Sequence, residues 1–369
     1  AHPHHPPALY RAANYCLEQY TASDTTTAIE LLTKSASQKN PFAANLLGNI
    51  FSADSTNSYY DINKAVEYYE LGVKNGSDRA MTNFANLLVE GRGVDSDYEK
   101  AMQLRTDAML GLLALAEQGD AAAQCRLGEN FIYGIGCAQN KKTGYEWIKK
   151  SAKQGFTTAL FYLGLCYEFG YGIDTDEQEA FKYYERAADK GQRGAILKVA
   201  ECYRWGKGVE RDPNKAFEND LKAAKLGEYD AMFNVAVAYQ TGDNTTQNFK
   251  EAFNWYKKSA NRGDTRAMNN IGAMLQNGEG IEEDKKEAFK WFMKAADAGS
   301  ALSQRVVGLC YFAGTGVESN RYKAFEWFLR AAKGGDKTAM YNVAVCYQEG
   351  YGTPIDNDAA TYWFKQHNQ

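Results

Sequence analysis

From Ala159 to Gly191 the chain reads ALFYLGLCYEFGYGIDTDEQEAFKYYERAADKG, and the fold follows from this stretch. Its first half sets Ala159, Leu163, Gly164 and Tyr167 at helical spacing and breaks at Gly170-Tyr171-Gly172-Ile173. The second half restarts at Ala180, places Tyr183 and Tyr184 on one face, adds Ala187 and Ala188, and stops at Gly191. Small residues at these slots let two helices approach closely, while the aromatics fill the space between them. The closing glycine can take the left-handed conformation that ends a helix. One such hairpin cannot bury its apolar faces alone, so it must stack on others of its kind.

The others recur at a step of 36 residues. The leading small residue of the first helix stands at Ala123, Ala159, Ala195, Ala231, Ala267, Ser303 and Ala339. That of the second helix stands at Gly144, Ala180, Ala216, Ala252, Ala288, Ala324 and Ala360. Two amphipathic helices per period predict an all-α, right-handed α/α superhelical solenoid of about ten helix pairs. The unit A-x-x-x-L-G-x-x-Y-x-x-G-x-G-V followed by A-x-x-W-Y-x-x-A-A-x-x-G resembles the Sel1-like repeat, over almost the whole chain. The resemblance implies a fold related to tetratricopeptide arrays. It also implies an interaction role, in settings such as bacterial virulence or host interaction, ER-associated degradation, or the assembly of signalling and cell-wall machinery.

The repeat overrides the two or three domains that the length would suggest. Residues 8–369 read as one array without an internal boundary. Residues 1–7 (AHPHHPP) read as a non-helical leader, 8–40 as a degenerate N-terminal cap, 43–335 as repeats, and 339–369 as a C-terminal repeat or cap. The second helix from Ala101 to Gln118 is longer than the others, because its leading residue precedes Gly144 by 43 residues instead of 36. Seven extra residues are almost two turns, so the insertion extends the helix without rotating its apolar face.

Composition narrows the function classes. The 42 basic and 46 acidic residues leave a net charge of −4 without a basic block, which argues against a nucleic-acid partner. No apolar run reaches the length of a membrane span, so no membrane insertion is expected. The chain starts at Ala1 rather than Met, so the lack of a visible secretory signal carries no weight. Cys166, Cys202, Cys310 and Cys346 share one slot of the repeat. Equivalent slots in neighbouring repeats lie about 8–10 Å apart, beyond disulfide reach. With seven cysteines in all and Cys16, Cys125 and Cys137 off that slot, they read as reduced, buried apolar groups. This favours a reducing compartment such as the cytoplasm, with a secreted or ER-luminal location left open. Asn75 and Asn244 are weak matches to a glycosylation acceptor.

Little in the chain carries chemistry. His2, His4 and His5 lie in the leader, and His367 is the only other histidine. No Ser-His or Cys-His arrangement can be assembled in the body. The Gly-x-Gly pairs recur between two helices with no strand before them, so they are turns and not phosphate cradles. No catalytic residue, metal site or cofactor is therefore expected. The alternative is a penicillin-recognising enzyme or binding protein of the bacterial cysteine-rich Sel1-like kind. The absence of Ser-x-x-Lys weighs against it.

Surface remains. In related arrays the first helices line the concave groove, at slots just before, and two, three, six, nine and ten residues after, the leading Ala. The residues expected to bind a protein or peptide partner there are Phe161, Leu165, Phe169, Arg204, Trp205, Phe233, Asn234, Asn269 and Asn270. Phe161, Phe169, Trp205 and Phe233 are expected to form one stripe. The Asn repeated three after the Ala (Asn83, Asn234, Asn270, Asn342) either serves a peptide backbone or is simply common in the repeat. Trp147, Trp255, Trp291, Trp327 and Trp363 share a packing slot, whereas Trp205 is off it. Asn219 and Asp220 replace the aromatic pair of other repeats. They mark either a functional departure or a repacking in which Trp205 or Phe217 fills the gap.

Overall fold

A computed structural model of the chain describes residues 6–19, 22–53 and 58–368. Two compact units divide the chain, Ala1–Arg211 and Asp212–Gln369. The first holds α1 (Pro6–Gln19), α2 (Ala22–Ser37), α3 (Pro41–Ser52), α4 (Ile62–Lys74), α5 (Asp78–Glu90), α6 (Tyr98–Glu117), α7 (Ala121–Tyr133), α8 (Lys141–Lys153), α9 (Thr157–Phe169), α10 (Glu177–Asp189) and α11 (Arg193–Trp205). The second holds α12 (Pro213–Lys225), α13 (Tyr229–Thr241), α14 (Phe249–Ala260), α15 (Thr265–Asn277), α16 (Lys285–Asp297), α17 (Ala301–Ala313), α18 (Arg321–Lys333), α19 (Lys337–Glu349) and α20 (Asn357–His367). Among the described residues there is no strand. The expected all-α helix-pair architecture is present in each unit.

Local chemistry sets each hairpin. From α5 on, every first helix ends on a glycine in the left-handed region, as at Gly170 (φ 67°) and Gly206 (φ 70°). The N-cap side chains of Asp120, Asp264, Ser300 and Asp336 accept backbone N–H groups at the start of first helices. From α4 on, each second helix also starts on an Asp or Asn N-cap, for example Asp176 accepting from the Glu179 N–H at 2.9 Å. Each such cap contributes about 1 kcal/mol. Within a hairpin, glycine permits the close approach: a Cβ on Gly164 would lie 2.5 Å from the Tyr184 ring, and one on Gly272 2.5 Å from Phe292.

The lengthened helix is α6, with 20 residues. Its buried residues Ala101, Ala108, Leu112 and Ala116 step by seven, four and four, so the insertion keeps one apolar face as expected. The leader is one point of difference. Pro6 and Pro7 open α1, because a first helical turn has no use for the N–H that proline lacks. The rest of the leader, with His2, His4 and His5, lies outside the described residues. Asn75 is no glycan acceptor in this fold, since its Nδ2, the atom a glycan would bond, is buried.

All seven cysteines are free, and Cys125, Cys166, Cys202, Cys310 and Cys346 are buried. Burial pushes the thiols of Cys125, Cys166 and Cys202 up to about 12 and those of Cys310 and Cys346 to about 11, from 9.0. Because these values are raised in the folded state, their stabilising effect is complete below the unfolded pKa and is lost as pH rises through the folded one. The melting temperature should therefore hold steady up to pH ~9 and fall between about 9 and 12. A flat alkaline melting profile, or rapid native labelling of these thiols at neutral pH, would contradict their burial.

Candidate binding surface

The expected site residues divide between the two units. In the first, Phe161 and Leu165 on α9 are half-buried. Phe161 packs on Tyr184 with ring centres 5.8 Å apart. Phe169 and Trp205, at the ends of α9 and α11, stand 51% and 67% exposed. The Arg204 carbonyl accepts from Arg211 Nε at 3.1 Å. In the second unit Phe217 packs edge-on against Tyr239, as Phe289 does on Tyr311 and, in the first unit, Phe181 on Tyr203.

The slot of Phe169 and Trp205, ten after the leading Ala, also holds Tyr133 on α7, which is 46% exposed. Consecutive first helices thereby present Tyr133, Phe169 and Trp205. Tyr171 joins the first two, stacking on Phe169 at 5.6 Å and meeting Tyr133 edge-on at 6.1 Å. In the second unit the same slot holds Thr241, Asn277, Ala313 and Glu349. The aromatic row belongs to the first unit alone.

Charge beside this row is neutralised in place. Lys198 bonds Glu201 at 2.9 Å and Glu168 at 3.2 Å, and its ammonium sits 5.6 Å from the Phe169 ring centre. Burial works against that ammonium, but the bonds to Glu201 and Glu168 outweigh it and raise its pKa. Tyr184 donates its hydroxyl to Glu168, and burial followed by that bond pushes the phenol far up.

In the second unit Phe233 packs on Tyr256 at 5.7 Å with the Arg266 guanidinium 4.4 Å from its ring centre. Arg266 in turn bonds Asp230 at 2.5 Å and Asp264 at 2.9 Å. Asn234 Nδ2 donates to the buried Asp220 at 3.2 Å, and Asn270 on α15 is half-buried. In the first unit Asn83 donates to Asn45 and Asn49, each at 3.0 Å. The Asn83 and Asn234 amides serve neighbouring helices of their own unit. Asn269 differs: its Oδ1 is buried without a hydrogen-bond partner. The residue walls a cavity of about 380 Å³ together with Gln276, Leu309 and Phe312.

On the second helices, four of the five packing tryptophans carry a cation three residues on, while Trp363 has Gln366 there. The distances to the ring centre are 4.0 Å for Lys150 on Trp147, 3.7 Å for Lys258 on Trp255, 4.3 Å for Lys294 on Trp291 and 4.7 Å for Arg330 on Trp327. Among the described residues no group of three or more His, Cys, Asp or Glu is arranged to hold a metal ion. No helix among them is long and apolar enough to cross a membrane.

Near-identical helix hairpins following one another along the chain are the architecture of a helical-repeat protein. Ten copies of the Sel1 repeat match the chain, at residues 6–40, 41–77, 78–104, 121–156, 157–192, 194–228, 230–264, 265–300, 301–336 and 337–366. The chain belongs to the Sel1 repeat family, whose members are generally protein-interaction scaffolds. It is similar to c5321, a protective antigen of uropathogenic Escherichia coli strains with an SLR fold. The identity is 26% and the TM-score 0.62, covering 99% of this chain and 76% of that one. It is also similar to a Sel1 repeat protein from Oxalobacter formigenes, at 25% identity and TM-score 0.57, covering 91% and 92%. No curated protein matches it.

Proposed function

We propose that the chain is a non-enzymatic adaptor that binds a protein segment or partner domain on its first-helix face, with residues 8–369 acting as one array. The exposed row of Tyr133, Phe169 and Trp205 carries this reading, because large aromatics held out in water at one repeated slot are the usual anchors of interfaces. Phe161, Leu165 and Arg204 flank that row in the first unit. In the second unit Phe233, Asn234, Asn269 and Asn270 line the corresponding face.

The test is affinity capture by the full chain and by a variant with Tyr133, Phe169 and Trp205 all changed to Ala. The wild type should retain its partner and the triple variant should lose it. Equal capture by both would refute the reading. A fluorescent penicillin should leave no covalent label on the protein, and a stoichiometric label would revive the penicillin-recognising alternative.

A further inference from the structure

In the first unit one interhelical loop has lost a contact that its counterparts keep. The second glycine of the Gly-x-Gly turn normally sits against the start of the preceding second helix. A Cβ on Gly93 would strike Ile62, one on Gly172 the Lys141 carbonyl, and one on Gly208 the Glu177 carbonyl. A Cβ on Gly136 would meet nothing within 4 Å. The preceding second helix here is α6, the lengthened one. Seven added residues carry its first turn about 10 Å along the helix axis, past the place where the loop would rest.

A cavity of about 520 Å³ occupies this place, walled by Thr82 and Asn86 of α5, Tyr98, Met102 and Arg105 of α6, and residues 134–138. Its volume falls in the range of about 300–1,000 Å³ typical of binding sites. Tyr98, Met102 and Ile135 are all exposed large apolar side chains. The cavity does not stand alone. Thr82 and Ile135 also wall a space of about 260 Å³ that includes Arg79 and Arg126. That space shares both arginines with a third, of about 370 Å³, reaching Tyr10 and Phe42. Such a succession suits an extended chain better than a compact small molecule.

Charge identifies the occupant. Arg126 is paired with Asp78 at 2.6 Å, and Glu129 accepts the Tyr162 hydroxyl. Arg105 bonds only a neutral group, donating to Asn86 Oδ1 at 2.9 Å. Neither Arg105 nor Arg79 has an ion pair among the described residues. Arg105 is the one charged side chain in the lining of the 520 Å³ cavity, and a guanidinium without a carboxylate beside apolar walls complements a segment that supplies acid and apolar side chains together.

We infer that the insertion in α6 creates a docking groove for an extended protein segment bearing an acidic residue next to an apolar one. The apolar side chain enters between Tyr98, Met102 and Ile135, and the carboxylate meets Arg105. This rests on the reading of the first-helix face as a protein-binding surface. The test pans the full chain against a phage-displayed random octapeptide library and titrates the selected peptides by fluorescence anisotropy. Enriched peptides should pair Asp or Glu with a large apolar residue. They should bind about tenfold or more weakly to Arg105→Gln. Tyr98→Glu, at a position too exposed to disturb folding, should weaken them similarly by repelling the acid. Peptides that bind without an acidic residue, or bind Arg105→Gln and Tyr98→Glu as well as wild type, would overturn the groove. If those peptides are lost on Trp205→Ala, the first-helix face stands and only the groove falls. If neither set of variants affects them, both readings fail. An unenriched library overturns the groove and leaves the aromatic row to the capture experiment.

Discussion

Gly208→Ala should destabilise the chain by about 2–5 kcal/mol, whereas Gly136→Ala should cost only about 1–2 kcal/mol. Both glycines lie at nearly the same left-handed φ, 69° and 70°, so both substitutions incur the same backbone penalty. They differ in what surrounds them. A methyl at 208 would collide with the Glu177 carbonyl at the start of α10, which helix hydrogen bonding holds in place, while a methyl at 136 enters open space. Repeat arrays need not unfold in a single step. The comparison is therefore best made by hydrogen exchange, resolved to α9–α11 for Gly208→Ala and to α6–α8 for Gly136→Ala. Equal losses of protection at the two sites would show that the loop of residues 134–138 is seated like the others, and the groove would have no structural origin.

Trp205→Ala should abolish partner binding without a change in fold. Truncating an interface anchor typically costs about 2 kcal/mol or more, roughly thirtyfold in affinity. Trp205 is 67% exposed, and surface substitutions usually stay within about 0.5 kcal/mol of wild-type stability. Melting temperature and helical content should therefore match wild type while affinity collapses. Phe233→Ala provides the contrast. Its ring packs on Tyr256 beneath Arg266, so its loss should cost stability by about 1–3 kcal/mol. A melting temperature lowered by Trp205→Ala as much as by Phe233→Ala would mean that the tryptophan is a packing residue.

The period made the fold legible, since a slot repeated at 36 residues reports the same environment each time. Gly164 beneath Tyr184 and the buried in-register cysteines follow from that logic. Side chains at slots two and ten after the leading Ala were harder to tell apart. Phe161 at the first meets the Tyr184 ring, while Phe169 and Trp205 at the second stand at helix ends with less to cover them. Tyr133 obeys the same slot rule one repeat earlier, ten residues after Ala123. The Asn slot could not be decided from sequence, because an amide's partner depends on which helix lies within 3 Å of it. Asn83 finds Asn45 and Asn49, while Asn234 finds Asp220. The cavity beside Gly136 needed two facts at once, the length of α6 and the contact its loop gives up.

The central claim is that partners dock on the first-helix face of the first unit. Site-resolved photo-crosslinking tests it most directly, with a benzophenone amino acid placed in turn at Tyr133, Phe169 and Trp205, and at the exposed Glu185 on second helix α10 as the control. The account predicts the same crosslinked partner from all three first-helix positions and none from position 185. Crosslinking from position 185 with silence at 133, 169 and 205 would contradict it.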